Sequence, residues 1–140
     1  MTIVLSVNQL QKVYEGKVPY QALKDINFKL KKGEFVAIMG PSGSGKSTLL
    51  QVISTIDSPT GGTVLIDGKN PHQMAKEELA SFRRRELGFI FQDFNLIHTL
   101  TVEENIMLPL SLEGVPANEI TKRTREVARY LGIEALLPKR

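Results

Sequence analysis

Gly40-Pro41-Ser42-Gly43-Ser44-Gly45-Lys46-Ser47-Thr48 follows the spacing G-x-x-x-x-G-K-[ST] of a phosphate-binding loop. Each fixed position has a physical reason. Glycine allows backbone angles and close approaches that a Cβ would block. Successive backbone N–H groups can then converge on phosphate oxygens as an anion nest. A helix starting near Lys46 would add the partial positive charge of its N-terminus at the same point. Lys46 is expected to reach the β- and γ-phosphates, Ser47 to place its hydroxyl on Mg²⁺, and Thr48 to add a hydroxyl contact. With glycine near 7% of residues, a random chain of this length matches the bare pattern less than about once in a hundred. The reading is nucleoside triphosphate binding, against the alternative of a glycine-rich turn carrying a solvent-facing lysine.

The flanking sequence gives the loop the setting it requires. Upstream, Glu34-Phe35-Val36-Ala37-Ile38-Met39 is apolar without alternation, which predicts a strand buried on both faces. Downstream, Leu49, Leu50, Val52, Ile53 and Ile56 recur at helical spacing and predict a helix from Lys46 to about Ile56. Ser58-Pro59-Thr60-Gly61-Gly62 breaks it, and Thr63 to Ile66 reads as a short strand closed by the Asp67-Gly68 turn. Earlier in the chain, Ile3 to Val7 reads as a strand. Lys24 to Leu30 alternates with period two, placing Ile26, Phe28 and Leu30 inward. Further on, the pattern predicts a surface helix over 76–86 and a buried strand at Gly88 to Phe91. A helix opens after Thr101, with Glu104 completing a capping box and Pro109 interrupting the pattern. A last helix runs from about Ala117 to Leu131, its apolar stripe formed by Ile120, Val127, Ala128 and Leu131, with a stop at Gly132.

Composition narrows the function classes. The 140 residues are 41% hydrophobic and 24% charged, with no cysteine and only two histidines, His72 and His98. Disulfide scaffolds, thiolate metal sites and cysteine nucleophiles are excluded. No apolar run approaches the ~18 residues of a membrane-spanning helix, and the N-terminus lacks the pattern of a signal peptide. The net charge of +3 is mild. The basic runs Arg83-Arg84-Arg85 and Lys122-Arg123 with Arg125 are interleaved with Glu86, Glu119 and Glu126, so they read as solvated helix faces and no nucleic-acid partner is expected.

Taken with the loop, Leu87-Gly88-Phe89-Ile90-Phe91-Gln92-Asp93-Phe94-Asn95-Leu96 and Leu10-Gln11-Lys12-Val13-Tyr14 make the whole chain resemble the N-terminal part of ATP-binding cassette (ABC) transporter ATPases. The wording of residues 88–96 and of Leu100-Thr101-Val102-Glu103-Glu104-Asn105-Ile106 is similar to the lipoprotein-release, macrolide-export and bacitracin-type peptide-resistance branch. The fold class this implies is α/β, a P-loop NTPase of the ABC type with an antiparallel β portion early in the chain. The resemblance divides residues 1–140 into a phosphate loop at 40–48, a Q-loop region at 88–100 and the start of a helical subdomain at 101–140.

The resemblance also implies roles. Tyr14 would stack on adenine. Gly40, Ser42, Gly43, Ser44, Gly45, Lys46, Ser47 and Thr48 would bind the ATP phosphates. Gln92 would contact Mg²⁺ and the attacking water, acting with Lys46 in catalysis, and Ser47 would be the other metal contact. Partners would be an integral-membrane permease and, for the full-length protein, a second nucleotide-binding domain, at the cytoplasmic face of the cell membrane. Phe94, Leu96 and Leu100 read either as core packing or as a dock for a permease helix. His98 does not match the family's switch histidine.

Hydrolysis needs an acidic strand end and a water-activating group as well as a phosphate cradle. The nearest match, Val64-Leu65-Ile66-Asp67, runs into Gly68, and no L-S-G-G-Q signature occurs. The expectation is therefore a chain truncated before the signature motif and the Walker B strand, able to bind ATP but without significant ATPase activity. Exposed apolar surface, with self-association or low stability, is expected with it. The alternatives are an ABC-type ATPase with a non-transport membrane role, or another P-loop phosphotransferase.

Overall fold

The computed structural model describes residues 2–140, which form two compact units divided after Leu87. In the first, β1 (Ile3–Tyr14) and β2 (Tyr20–Lys31) pair antiparallel. β3 (Gly61–Ile66) joins the other edge of β1, giving the order β2-β1-β3. Both early strands are longer than the sequence pattern predicts. Register shifts around Val7–Val13 carry β1 through Asn8 and Gln9, and Gln9 takes a left-handed φ of 48°. Such irregularities hide a long strand from an alternation test. Ile26, Phe28 and Leu30 point to the half-buried side, as expected.

α1 (Lys46–Ile53) lies against this sheet and buries Leu49 and Val52. These join Val7, Leu10, Leu23, Val64, Ile66 and Phe82 in one core. The helix stops before the expected Ile56 because Thr55 turns to φ 70° and Ile56 is exposed. β3 ends as read: Asp67 and Gly68 both have positive φ, the geometry of a type I′ turn, and Ile66 bridges to Lys69. A short 3-10 turn at Pro71–Gln73 and α2 (Lys76–Glu86) complete the unit. α2 has the expected bounds and buries Phe82, and Arg83 Nε donates to Thr55 Oγ1 at 2.9 Å.

His72 ties the 3-10 turn to α1, its Nε2 donating to the Val52 carbonyl at 3.0 Å. Burial lowers its pKa from 6.5 and outweighs the opposing effects of that bond and of Asp57. A depressed folded value means that the unfolded chain takes up the proton first. Stability is thus complete above the unfolded pKa and is lost as pH falls from 6.5 through the folded value. A melting-temperature series from pH 7.5 downward is expected to show this decline, and His72→Gln, which cannot titrate, to flatten it. An equally steep decline in the variant would assign the dependence to other groups.

In the second unit, α3 (Val102–Leu112) opens with the expected capping box: Glu104 N donates to Thr101 Oγ1 at 3.1 Å and Thr101 N to Glu104 Oε2 at 2.7 Å. Pro109 does not end it. The ring removes one donor, but the Glu113 N–H still reaches the Pro109 carbonyl at 3.2 Å and the helix continues to Leu112. α4 (Ala117–Tyr130) buries Ile120, Thr124 and Ala128, spaced four apart, whereas Val127 and Leu131 are exposed. Ile120 and Ala128 of the predicted stripe are thus buried, Val127 and Leu131 are not, and Thr124, outside the stripe, joins the buried face. Arg123 pairs with Glu119 at 2.9 Å on the outer face, as a solvated charge run would.

Two strand expectations are corrected. Residues 34–39 and 88–91 form no strand, and both are largely exposed, with Phe35 at 99% and Ile90 at 97%. A strand is not a local property: its backbone groups need a paired neighbour, and an apolar run without one has no ladder to join. Among the described residues, no strand pairs with either run. The expected exposed apolar surface is present at Phe35, Val36, Met39 and Ile90.

Candidate nucleotide-binding site

The phosphate-loop residues gather at the N-terminus of α1. Gly45 is the N-cap, at φ 96°, with no side-chain cap and no acidic residue in the first turn. The N–H groups of that turn are therefore left to an outside acceptor, and no carboxylate competes with an anion there. Packing fixes where the loop sits: a Cβ on Gly45 would lie 2.6 Å from the Ala22 carbonyl oxygen and 3.3 Å from Leu23 Cδ2. Only glycine lets the start of the helix rest this closely on β2.

Ser42, Gly43, Gly45, Lys46, Ser47 and Thr48, with Tyr20 and Ala22 of β2, line an open cavity of about 410 Å³. That volume is within the usual range for small-ligand sites. Gly40 and Ser44 act one step back. The Lys46 ammonium donates to the carbonyls of Gly40 and Pro41, the latter at 2.8 Å, and lies 3.3 Å from Ser44 Oγ. The cation is thereby held on its own loop at the cavity wall.

Tyr14, at the end of β1, is brought to the same helix: its hydroxyl lies 3.5 Å from Thr48 Oγ1 and 3.2 Å from Asp57 Oδ2. Gln92 belongs to the second unit, in an exposed irregular segment. Tyr20 belongs to no motif of the sequence. It lines the cavity, and its hydroxyl donates to the Gly43 carbonyl at 3.1 Å. The signal for it was the strand period, since Tyr20 and Ala22 are two apart and share a face.

A magnesium ion fits this donor set in one way. Among the described residues no group of three or more His, Asp or Glu could cage a metal. Ser47 offers one hard oxygen on the cavity wall, which suits an ion held mostly by phosphate oxygens and water.

The second unit has its own apolar cavity of about 300 Å³, lined by Leu96, Ile97, Leu100, Val102, Ile106 and Ile133, with His98, Asn105 and Arg140 also contributing. Asn105 shapes the loop above it, accepting from Ile97 N at 2.9 Å and donating to the carbonyls of Ile97 and Thr101 at 3.1 and 3.0 Å. Among the described residues no helix is long and apolar enough to cross a membrane.

An uncapped helix behind a glycine loop, with a lysine on the cavity wall, is the arrangement of a phosphate loop. The ABC transporter family model matches residues 23–140, and the chain belongs to that family. It is 55% identical over 140 residues to the ABC transporter ATP-binding protein YxdL of Bacillus subtilis (strain 168), covering 100% of this chain and 54% of that protein. It is 45% identical over 137 residues to the bacitracin export ATP-binding protein BceA of Halalkalibacterium halodurans, covering 97% and 54%. Macrolide-export and lipoprotein-releasing ATP-binding proteins match as well, which agrees with the branch indicated by residues 88–106. The solved dimeric structure of the ATP-binding cassette MJ0796, in a post-hydrolysis state bound to ADP and Pi, superposes with a TM-score of 0.89 at 40% identity, over 97% of this chain and 61% of that one. The expected cassette fold is thus found. The chain spans about half the length of the curated relatives it matches.

Proposed function

We propose that this chain binds ATP with Mg²⁺ at residues 40–48, as the N-terminal portion of the nucleotide-binding domain of an ABC ATPase subunit that powers an integral-membrane permease in export or antimicrobial-peptide resistance. The observation that carries the reading is the cavity at the uncapped start of α1, walled by Ser42, Gly43, Gly45, Lys46, Ser47 and Thr48. In this reading the loop amides and Lys46 hold the β- and γ-phosphates, with Gly40 and Ser44 keeping the loop and its lysine in shape. Thr48 adds a hydroxyl contact, and Tyr14 takes the adenine. Magnesium, when bound, would neutralise phosphate charge; Ser47 would be its contact here and Gln92 of the Q-loop region, residues 88–100, the other. Gln92 and Lys46 would serve catalysis in the complete domain.

Residues 101–140 would begin the helical subdomain. Leu96 and Leu100 on the wall of the apolar cavity, with Phe94 87% exposed, favour a permease dock over core packing. The full-length protein would pair with a second copy and lie at the cytoplasmic face of the cell membrane through its permease. ABC ATPases hydrolyse ATP; the 140 residues assayed alone are expected to show no significant turnover, since an acidic strand end and the signature are absent from their sequence.

Titration of ATP·Mg²⁺ into the protein and into its Lys46→Ala variant tests the site. Saturable binding that the substitution weakens supports the reading, and equal binding by both proteins overturns it. Family-typical hydrolysis that Lys46→Ala abolishes would overturn the expected inactivity while leaving the site intact.

A further inference from the structure

A cluster of charged and aromatic side chains lies just outside the cavity, built from the end of β1 and the turn after α1. Lys12 and Tyr14 are two apart on β1 and share a face; the Lys12 ammonium stands 5.2 Å from the centre of the Tyr14 ring. Asp57 joins them. Its Oδ1 accepts from Lys12 Nζ at 3.0 Å and from the Ser58 N–H at 2.8 Å, and its Oδ2 accepts from the Tyr14 hydroxyl at 3.2 Å. Lys12 also donates to the Ser58 carbonyl at 2.7 Å. The Tyr14 hydroxyl is beside Thr48 Oγ1 as well, on a residue that lines the cavity.

We propose that Asp57 and Lys12 are positioning residues that fix the Tyr14 ring beside Thr48 before the base of a nucleotide arrives. The proposal rests on the reading of residues 40–48 as a nucleotide site and of Tyr14 as its adenine contact. A free tyrosine would have to give up the rotation of its ring and its side-chain torsions to stack on a base. Here those freedoms are already restricted: the hydroxyl end is anchored by Asp57, and one face is covered by the Lys12 ammonium. Restriction made before the ligand arrives lowers the cost of binding. Tyr14 keeps 37% of its surface exposed, so its ring is not enclosed, and stacking on an aromatic side chain is available to any purine.

An ordinary surface ion pair would add little. This one differs in that the Lys12 side chain is only 13% exposed and its charge has a carboxylate, a carbonyl and a ring as partners. Burial by itself would raise the Asp57 pKa, but the bonds from Lys12, the Ser58 N–H and Tyr14, with the Lys12 charge, hold it below the ordinary value. The anchor is therefore ionised throughout the neutral range.

The test compares two probes, ATP·Mg²⁺ and inorganic tripolyphosphate·Mg²⁺, which carries the phosphates without a base. Tyr14→Ala is expected to weaken ATP about tenfold and to leave tripolyphosphate within about twofold. Asp57→Asn and Lys12→Met are each expected to weaken ATP about three- to tenfold with the same indifference to tripolyphosphate. The double variant Tyr14→Ala/Asp57→Asn should bind ATP no worse than Tyr14→Ala alone, because Asp57 acts through the ring. Equal loss for both probes would make Asp57 a folding residue only and overturn the proposal, as would unchanged ATP affinity in Asp57→Asn or additive losses in the double variant. If Tyr14→Ala leaves ATP binding unchanged while Lys46→Ala removes it, the adenine contact at Tyr14 is wrong and the nucleotide site stands. If Lys46→Ala is without effect too, the site itself falls.

Discussion

Lys46→Ala is expected to weaken ATP·Mg²⁺ binding about 10- to 100-fold while changing the melting temperature little. The two halves of that expectation come from different contacts. Lys46 Nζ spends its hydrogen bonds on the Gly40 and Pro41 carbonyls and approaches Ser44 Oγ, all in an exposed loop. Carbonyls released there can turn to water, so truncation leaves no buried group unpaired and the stability change stays near the few tenths of a kcal/mol typical of surface sites, ~0.5 kcal/mol at most. Binding is another matter. Against a triphosphate, in the proposed reading, the ammonium would make charge-assisted bonds worth about 1.5–3 kcal/mol, and each 1.4 kcal/mol is about tenfold in affinity. Isothermal titration for affinity and calorimetric melting for stability separate these effects. A variant that loses binding only because it melts below the assay temperature would contradict the division of roles.

The same loop shows how far the sequence could be read. Its motif is self-contained: the glycines, the lysine and the helix start lie within nine residues, and the geometry that gives each its purpose is local. The helix caps were legible for the same reason, as at Thr101 and Glu104, and so were the bounds of α2. Legibility failed where a structure depends on a distant partner. Glu34 to Met39 and Gly88 to Phe91 have strand-like composition but no neighbour to pair with among the described residues, so composition alone overstated them. It failed again where a local rule was relaxed by context, with Pro109 inside α3 and with Thr124 on the buried face of α4. The residues added to the site, Tyr20, Lys12 and Asp57, are unremarkable in isolation. Asp57 is 45 positions from Lys12, and only the fold of β1 against the turn after α1 brings them together.

Gly45→Ala is expected to be the most damaging single methyl that can be added to the site, costing about 3 kcal/mol or more and abolishing measurable nucleotide binding at ordinary concentrations. Two penalties coincide at this position. At φ 96° any residue with a Cβ is strained by about 1–3 kcal/mol. In addition, that Cβ would stand 2.6 Å from the Ala22 carbonyl oxygen, which is backbone within β2 and cannot rotate aside. Relief requires the start of α1 to lift from the sheet, disturbing Leu49 and Val52 in the core and the amides that face the cavity. Gly43 offers an internal control. Its φ of 81° carries the first penalty, but a Cβ there meets nothing within 4 Å, so Gly43→Ala is expected to lose only about 1–2 kcal/mol. Gly40 is a third case. Its added Cβ would meet Ser44 Oγ at 2.8 Å, a side chain that can turn away, though at the expense of its contact with Lys46. Denaturant unfolding of the three alanine variants should therefore rank Gly45 far above Gly43. Equal losses for those two would mean that backbone conformation alone, and not the seat of the loop on β2, explains the glycine at position 45.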